Sequence, residues 1–295
     1  MLKSEDTSQV DDQQPHEAVP TSKYNYTELA DIYNRAREDY IVPMPMNAKR
    51  MEQYVVAYDV DLDASVVAID KDDGEPNGVG MLGIRDERTW ITRLGVIPIR
   101  RRRKAGQFLM EALVDESVKR DKSLIQLEVI KGNEPAHKLF KKMGFEVTRE
   151  LLIIRRPPGK LGDNQKLGDD VIIEKIADND VFDTLQERED GAAWTEETSS
   201  LRNAGQMTGL NVTNPDGENA WVVFQKTAFQ LSHFVLKSNV SEDMTRSLIA
   251  AVHQTFPLMD TKIENVPTEH YTWQYFQEFG YVESFSRIEM FLHLK

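Results

Sequence analysis

The stretch Leu94–Met110, LGVIPIRRRRKAGQFLM, places five basic residues between a strand pattern and a helix pattern. Residues 89–96 (TWITRLGV) are rich in β-branched and aromatic side chains, and residues 107–120 carry apolar side chains at helical spacing. Backbone N–H groups at the start of a helix bind anions, and Gly106 allows a close backbone approach or a positive φ. We therefore predict an anion-binding loop, in preference to a solvated loop or an import or nucleic-acid patch.

The pattern on both sides of this stretch alternates between strands and helices. Helices are predicted over residues 27–40, 47–58, 107–120 and 133–143, with Asn47 as the N-cap of the second. Strands are predicted over 64–69, 79–84, 89–96, 123–130 and 150–154. Alternation of this kind indicates an α/β, or layered α+β, architecture. The turn residues at 70–78 (DKDDGEPNG) separate two strands by a hairpin-like connection. Part of the sheet is therefore expected to be antiparallel.

The same order of elements returns after residue 170, which indicates two similar domains. Phe140, Gly144 and Phe145 recur 136 positions later as Phe276, Gly280 and Tyr281, and Glu128 recurs as Glu264. Residues 155–170 are dense in proline, glycine and charge, as linkers are. The predicted organisation is a flexible acidic tail at 1–22, a first domain at 23–156, a linker at 157–170 and a second domain at 171–295.

The composition is that of a soluble globular protein. The chain has 295 residues, 40% of them apolar, and a net charge of −13, which divides into −1 for residues 1–160 and −12 for residues 161–295. Such a charge does not suit nucleic acid, whose binding depends on many phosphate contacts. No apolar run is long enough for a membrane span, and the N-terminus lacks a secretory signal. The absence of cysteine fits the cytoplasm, and no pair of histidines has metal-ligand spacing, so no metal is expected.

The basic loop resembles the strongest motif of the GNAT family of acyl-CoA-dependent N-acyltransferases. That motif, Leu-x-Val-x-Pro followed by Arg/Gln-x-x-Gly-x-Gly/Ala, is matched by Leu94, Val96, Pro98, Arg101 and Gly106. The resemblance implies that Leu94 and Val96 lie along the pantetheine arm of acetyl-CoA. It implies that the pyrophosphate is bound by Arg101, Arg102, Arg103, Lys104, Ala105, Gly106 and Gln107. Lys104 stands where the family has its first glycine, and its side chain either crowds the turn or adds a phosphate contact.

A second motif, LEVIKGNEPAHKLFKKMGF at 127–145, resembles the next motif of the same family. The resemblance implies that Glu128 is the general base and that Asn133, Ala136 and Phe140 lie along the cofactor. The residues themselves leave alternatives open, because Glu128 also suits a solvent-facing position and Asn133 also suits a helix cap. Phe140 stands where many relatives have a tyrosine that protonates the leaving thiolate. The family's fold implies, for each domain, a mixed and mostly antiparallel twisted sheet flanked by helices.

In the second half the counterpart of the loop is KSNVSEDMT at 237–245, where Ser241 suits a helix cap and Glu242 and Asp243 follow it. Carboxylates at a helix start repel pyrophosphate, so the second domain is expected to be degenerate. We predict an N-acetyltransferase that moves the acetyl group of acetyl-CoA directly to a primary amine of a small molecule or peptide. The alternative is a non-catalytic acyl-CoA-binding or interaction protein. Candidate acceptor contacts are Tyr40, Trp90 and Thr92, and the acceptor and the oligomeric state stay open.

Overall fold

The computed structural model of this protein describes residues 15–101 and 104–295. Within these ranges the chain forms eight α-helices and twelve β-strands, and its strand pairing is mostly antiparallel. This confirms the predicted α/β class. The described residues divide by their internal contacts into two units. The first contains residues 15–55, 59–101, 104–126 and 293–295, and the second contains residues 56–58 and 127–292. No helix in the described ranges is long and apolar enough to cross a membrane.

The first unit is a sheet with helices on both faces. Its strands lie in the order β1-β2-β3-β4, each antiparallel to its neighbour. A side chain at Gly95 would meet Ala36, whereas one at Gly80 would meet Leu113. Gly95 pairs with Val79, and Gly80 is the next residue of β3, so the two Cβ positions lie on opposite faces of the sheet. The helix that contains Ala36 therefore covers one face, and the helix that contains Leu113 covers the other. The elements are β1 (His16–Pro20), α1 (Tyr26–Ala36), α2 (Ala48–Ala57), β2 (Val60–Asp70), β3 (Pro76–Arg85), β4 (Arg88–Val96) and α3 (Ala105–Lys119).

Short-range capping explains where several helices begin. The Oδ1 atom of Asn25 accepts hydrogen bonds from the backbone N–H groups of Thr27 and Glu28 at the start of α1. Asn47, predicted to cap the second helix, accepts one from the backbone N–H of Arg50 at 2.9 Å. These bonds satisfy donors that the first turn of a helix leaves unpaired. Because they join residues two or three apart, they can be predicted from sequence.

The segment HEAVP forms β1 within the residues predicted to be a flexible tail. It pairs with β2 in the register His16–Asp70 to Pro20–Val66. The prediction of a tail up to residue 22 is therefore wrong for His16–Pro20, and residues 1–14 lie outside the described part of the chain. The strand was missed because it has only five residues and its hydrogen-bonding partner lies about fifty residues further along the chain.

Gly78 of β3 lies so close to β4 that a side chain has no room. A Cβ atom there would lie 2.3 Å from the carbonyl oxygen of Gly95 and 3.0 Å from the Cα of Val96. We expect Gly78→Ala to lower the free energy of unfolding by about 3 kcal/mol, because backbone must move to relieve the overlap. Thermal unfolding followed by circular dichroism checks this. Gly159→Ala, where a Cβ has no neighbour within 4 Å, is the control and should leave the midpoint nearly unchanged.

The second unit is built on the strand order β5-β12-β6-β11-β10-β9-β8-β7. In this unit β10 and β11 run parallel, and the register of each other described pair is antiparallel. Its elements are β5 (Leu124–Ile130), α4 (Glu134–Lys142), β6 (Glu146–Arg156), β7 (Ile172–Lys175), α5 (Val181–Thr184), α6 (Thr198–Ala204), β8 (Met207–Thr213), β9 (Asn219–Lys226), β10 (Gln230–Leu236), α7 (Glu242–Thr255), β11 (Asp260–Pro267), α8 (Thr272–Glu278) and β12 (Val282–His293).

The last strand, β12, lies between β5 and β6, which are both part of the predicted first domain. On its other edge β6 pairs with β11. Residues 127–156 therefore group with the second half of the chain, and the two compact units do not follow the domain limits expected from sequence. The residues of the expected linker are also packed, since the N–H of Gly159 donates to the carbonyl of Pro257 and Leu161 is buried. The limits of the two domains stay a prediction from the sequence repeat.

Candidate active site

The basic loop joins β4 to α3 as the sequence predicts, but the positive φ falls on a different residue. After β4 the chain makes a 3₁₀ turn, Pro98–Arg100, and Lys104 then precedes α3 with φ 63° and ψ 30°. Gly106 is the second residue of the helix. The left-handed conformation is one that glycine adopts at little cost, which explains why the family motif has glycine at the position of Lys104.

The start of α3 suits an anion. Its first turn contains no acidic residue, and no side chain caps it. Within the described residues, the N–H of Phe108 donates to the carbonyl of Lys104. The N–H groups of the residues before Phe108 belong to the first turn, where they have no intrahelical acceptor and point out of the helix end. Ala105 is buried, which anchors the helix, whereas Lys104 is exposed. The dipole of α3 adds partial positive charge at this end.

The described arginines of the loop are held by aspartates of the same unit. Arg101 makes a two-pronged ion pair with Asp39, with both N···O distances at 2.6 Å, and its Nε donates to the carbonyl of Val96. Arg100 pairs in the same way with Asp73, at 2.9 and 3.1 Å. The hydrogen bonds from Arg101 lower the pKa of Asp39, which keeps this carboxylate ionised. A phosphate that binds Arg101 must therefore share the guanidinium group with Asp39 or displace Asp39 from it. Arg102 and Arg103 lie outside the described residues.

Two substitutions separate the backbone role of Lys104 from the role of its charge. Because its side chain is exposed and its backbone already has the left-handed conformation, we expect the ammonium to help pyrophosphate binding without crowding the turn. Lys104→Ala and Lys104→Gly should both weaken acetyl-CoA binding, roughly fivefold, by calorimetric titration. The glycine variant should unfold with a free energy about 1 kcal/mol higher than the alanine variant. Tighter binding by Lys104→Gly would show instead that the side chain hinders the pyrophosphate.

The strand before the loop contains a β-bulge. Met81 pairs with Thr92 and Val79 pairs with Gly95. Between these pairs, β4 has two residues, Arg93 and Leu94, whereas β3 has only Gly80. Arg93 occupies the bulge with φ 52°. A bulge of this kind turns the strand and redirects a side chain. Leu94, the second residue of the bulge, and Val96, which follows it, are the expected pantetheine contacts, and both are half-buried.

Three tyrosines of the first unit contact two arginines, Arg93 of the bulge and Arg37. Arg93 donates from Nη1 to the hydroxyl of Tyr33 at 2.9 Å, and its guanidinium lies 4.0 Å from the ring centre of Tyr54. Tyr54 in turn hydrogen-bonds Thr92 and lies 6.2 Å, ring to ring, from Trp90. Tyr40 stacks under the guanidinium of a second arginine, Arg37, at 3.9 Å.

The three expected acceptor contacts, Tyr40, Trp90 and Thr92, thus contact one cluster of aromatic and arginine side chains within this unit. Four residues of this cluster are not among the site residues predicted from sequence, namely Tyr33, Arg37, Tyr54 and Arg93. The predicted helix over 27–40 is too long, since α1 ends at Ala36 and Arg37 forms its C-cap. A bulge has no reliable sequence signal, so nothing marked Arg93 before the strand register was known.

The remaining expected site residues lie in other places along the chain. Gln107 donates to Glu111 within α3 at 2.7 Å. In the second unit Glu128 is half-buried between the buried residues Leu127 and Val129 of β5, so its side chain points to the face of the strand opposite theirs. Asn133 caps α4, with its Oδ1 atom accepting from the N–H of Ala136 at 3.4 Å. Ala136 is half-buried, and Phe140 is buried against Phe145 with the ring centres 6.2 Å apart.

Residues 27–145 match the sequence model of the acetyltransferase (GNAT) family. This part of the chain belongs to that family. The matched region begins just inside α1 and ends with the Gly-Phe pair after α4, so it contains both motifs. Among curated protein sequences, none matches the chain.

Solved structures of GNAT proteins share the fold of nearly the whole chain. A GCN5-related N-acetyltransferase from Sphaerobacter thermophilus has a TM-score of 0.68 at 12% identity, with 94% of this chain and 95% of the other covered. A tandem GNAT protein from the clavulanic acid biosynthesis pathway has a TM-score of 0.65 at 14% identity, covering 94% and 98%. A GCN5-related N-acetyltransferase from Anabaena variabilis has 0.58 at 13%, covering 94% and 72%. At these identities the likeness concerns the fold.

The second half repeats the bulge seen in β4. Between the pairs Gln225–Ser232 and Val223–Val235, β10 has two residues and β9 has one. His233 occupies this bulge with φ 54°, as Arg93 does in the first half. Both halves also end a helix in the same way before a strand: Gly144 and Gly280 have positive φ, at 93° and 83°.

The start of α7 differs from that of α3. Ser241 caps α7, accepting from the N–H of Met244 at 3.0 Å, and Glu242 and Asp243 occupy its first turn. The helix end is therefore occupied by the protein's own side chains in this copy.

A cavity of about 300 Å³ lies in the second unit, where β10 and β11 diverge. These strands pair at Gln230–Asp260 and Leu231–Thr261 and then separate. Phe234 and Glu264 line the cavity from the two strands, and Phe276 of α8 closes one side. The Glu264 carboxylate bonds to Lys262 and Arg287, and these cations hold its pKa below the usual range although burial would raise it. Within residues 15–101 and 104–295, no three potential metal ligands cluster.

Proposed function

We propose that this protein is an N-acetyltransferase that transfers the acetyl group of acetyl-CoA directly to a primary amine. The observation that supports this most is the contrast between the two helix starts. The first turn of α3 has no acidic residue and no side-chain cap, whereas α7 is capped by Ser241 and begins with Glu242 and Asp243. An anionic donor is favoured at the first and repelled at the second. We therefore assign donor binding to the first half.

The chemistry requires a neutral amine, because an ammonium has no lone pair with which to attack a thioester. In our proposal Glu128 accepts the ammonium proton. The amine nitrogen then attacks the carbonyl carbon, the new C–N bond forms and the C–S bond breaks. CoA leaves as a thiolate, which takes up the remaining proton released from the nitrogen. A free thiol has a pKa of about 8.5, so the thiolate is a fair leaving group without help from the buried ring of Phe140.

The absence of cysteine from the chain excludes a cysteine-bound acetyl intermediate. This supports direct transfer, in which donor and acceptor are bound together. Steady-state rates measured with both substrates varied should then give intersecting reciprocal lines, since parallel lines are the kinetic sign of a covalent intermediate.

Two measurements test the proposal. Saturating acetyl-CoA should raise the thermal midpoint, because a ligand that binds the folded state stabilises it. Release of free thiol from acetyl-CoA should then depend on the presence of an amine drawn from a panel. No shift at saturating acetyl-CoA would refute donor binding altogether. A shift without thiol release for any amine would favour the alternative, a non-catalytic acyl-CoA-binding protein.

A further inference from the structure

The cavity between β10 and β11 of the second unit has the size and the walls of a small-molecule site. Its volume of about 300 Å³ is at the lower end of the range for ligand pockets and holds about ten water molecules. Phe234, Ile263 and Phe276 contribute apolar wall. The rings of Phe234 and Phe276 pack edge to face, with their centres 6.4 Å apart. A molecule of about ten non-hydrogen atoms with an apolar body therefore fits this space.

Three of the charged side chains that line the cavity have a hydrogen-bonded side-chain partner in the protein. The three pairs are Glu196 with His233, Glu264 with Arg287 and Arg149 with Glu289. Glu189 and Asp190, the other two lining carboxylates, are exposed, so water and salt screen their charge. These five groups therefore need no ligand to compensate their charge.

Arg188 lines the same cavity and has no carboxylate hydrogen-bonded to it within residues 15–101 and 104–295. Its one hydrogen bond there runs from Nη1 to the backbone carbonyl of Glu196, at 2.7 Å. A guanidinium carries five N–H groups in a planar fork, so most of these donors lack an acceptor in the described chain. Burial lowers the pKa of Arg188 although Glu196, Glu197 and Asp190 attract its charge. A cation withdrawn from water without a paired acceptor costs free energy, which a bound anion would recover.

Two further hydrogen-bond donors line the cavity. The hydroxyl of Ser238 makes no hydrogen bond to the described part of the protein. Nδ1 of His270 bonds to the Thr272 hydroxyl and accepts from the Thr272 N–H, at 2.8 and 3.4 Å. Burial lowers the pKa of His270, and the neutral ring then carries its hydrogen on Nε2. Of the three donors, Arg188, Ser238 and His270, only Arg188 carries a charge, so it is the group that selects an anion.

We propose that this cavity binds a small organic acid, whose carboxylate pairs with Arg188 and whose apolar body lies against Phe234. The planar fork of a guanidinium matches the two oxygens of a carboxylate. A carboxylate fits better than a phosphate monoester, because one guanidinium compensates one negative charge and Glu189 and Asp190 disfavour a second. The inference does not depend on the proposed transfer reaction, since the lining residues include neither Glu128 nor any residue of the loop before α3.

Acids and their amides are matched probes for this site. Benzoate, phenylacetate, isovalerate and isocaproate are titrated into the whole chain by calorimetry, and each is compared with its amide, which keeps the apolar body and lacks the charge. We expect at least one acid to bind roughly 10- to 100-fold more tightly than its amide, because charge-assisted hydrogen bonds have strengths in this range. Saturation with that acid should also raise the thermal midpoint.

Two substitutions assign the binding to this cavity. Arg188→Met removes the charge and keeps a long apolar side chain, so the acid-to-amide ratio of affinities should move toward one. Ala192→Phe, at another lining position, fills the cavity and should weaken the binding of acid and amide together. Because Ala192→Phe leaves the guanidinium in place, it tests the site even if circular dichroism shows that Arg188→Met does not fold.

Arg202→Met is the matched control. Arg202 is an exposed arginine of the same unit, lies over the ring of Phe182 at 4.5 Å from its centre and is not among the residues that line the cavity. This variant should keep the affinities of the wild type for every acid and amide.

Failure of every acid to bind, or equal affinities of acids and amides, would overturn the inference. So would an acid-to-amide ratio that persists in folded Arg188→Met, or an affinity that persists in folded Ala192→Phe, because the acid would then bind elsewhere on the chain. None of these results depends on acetyl transfer, so the inference and the proposed function can fail separately.

Discussion

Replacing Glu128 by glutamine is expected to lower kcat by about 10²- to 10⁴-fold and to leave the KM for acetyl-CoA close to the wild-type value. The range is that of a general base removed from a reaction that must deprotonate its nucleophile. The limb of the pH profile of kcat that reports the general base should be absent from the glutamine variant. Thiol release measured between pH 5 and 9, in steps of about half a unit, provides both tests.

The matched control is Glu264→Gln, because Glu264 occupies the equivalent position of the sequence repeat in the second half. It bonds to Arg287 at 2.8 Å and to Lys262 at 2.5 Å. Removing its charge should lower the free energy of unfolding by about 2 kcal/mol, since two cations lose a half-buried, hydrogen-bonded partner. Turnover per folded molecule should not change. If Glu128→Gln keeps the wild-type kcat and pH profile, the base is a different group.

The substitution Gly106→Glu is expected to weaken acetyl-CoA binding by more than about 100-fold without weakening the fold. It places at the second position of α3 a carboxylate like the one that Asp243 supplies at the second position of α7. A negative charge in the first turn interacts favourably with the helix dipole, and glutamate also favours helix over glycine. The free energy of unfolding should therefore rise by about 0.5–1 kcal/mol. The same negative charge repels the pyrophosphate, so acetyl-CoA binds more weakly.

A substitution with neutral glutamine distinguishes charge from volume at this position. Gly106→Gln adds nearly the same number of atoms, so a loss of affinity caused by bulk would appear in both variants. We expect the glutamine variant to bind acetyl-CoA at least tenfold more tightly than the glutamate variant, as measured by calorimetry and by the thermal shift. Wild-type affinity in the glutamate variant would mean that the start of α3 is not where the pyrophosphate binds.

Local features of the sequence were enough to predict the loop and most helix starts. Asn47, Asn133 and Ser241 were each identified as caps, and each accepts a hydrogen bond from the N–H of the residue three positions later. The loop before α3 was identified from its neighbours in sequence, Pro98 and Gly106. These features are predictable because the interacting groups lie within one helical turn of each other.

The conformation of the loop was less predictable. The sequence offered Gly106 as the residue with freedom to adopt a positive φ, whereas the structure places that φ on Lys104. The helix extends over Gly106 once the hydrogen bond from Phe108 to Lys104 forms. Helix ends are difficult to locate within one or two residues because the terminal groups have several possible partners.

The sequence by itself determined the α/β class, the strand, loop and helix at 94–110 and the contrast between Gly106 and Glu242. All of these depend on residue preferences and on hydrogen bonds between near neighbours. The tertiary structure alone decided that β12 lies between β5 and β6, and that the bulge turns Arg93 onto Tyr33 and Tyr54. These contacts join residues about forty to one hundred and sixty positions apart. Their choice depends on which buried surfaces fit together, and no local pattern encodes that fit.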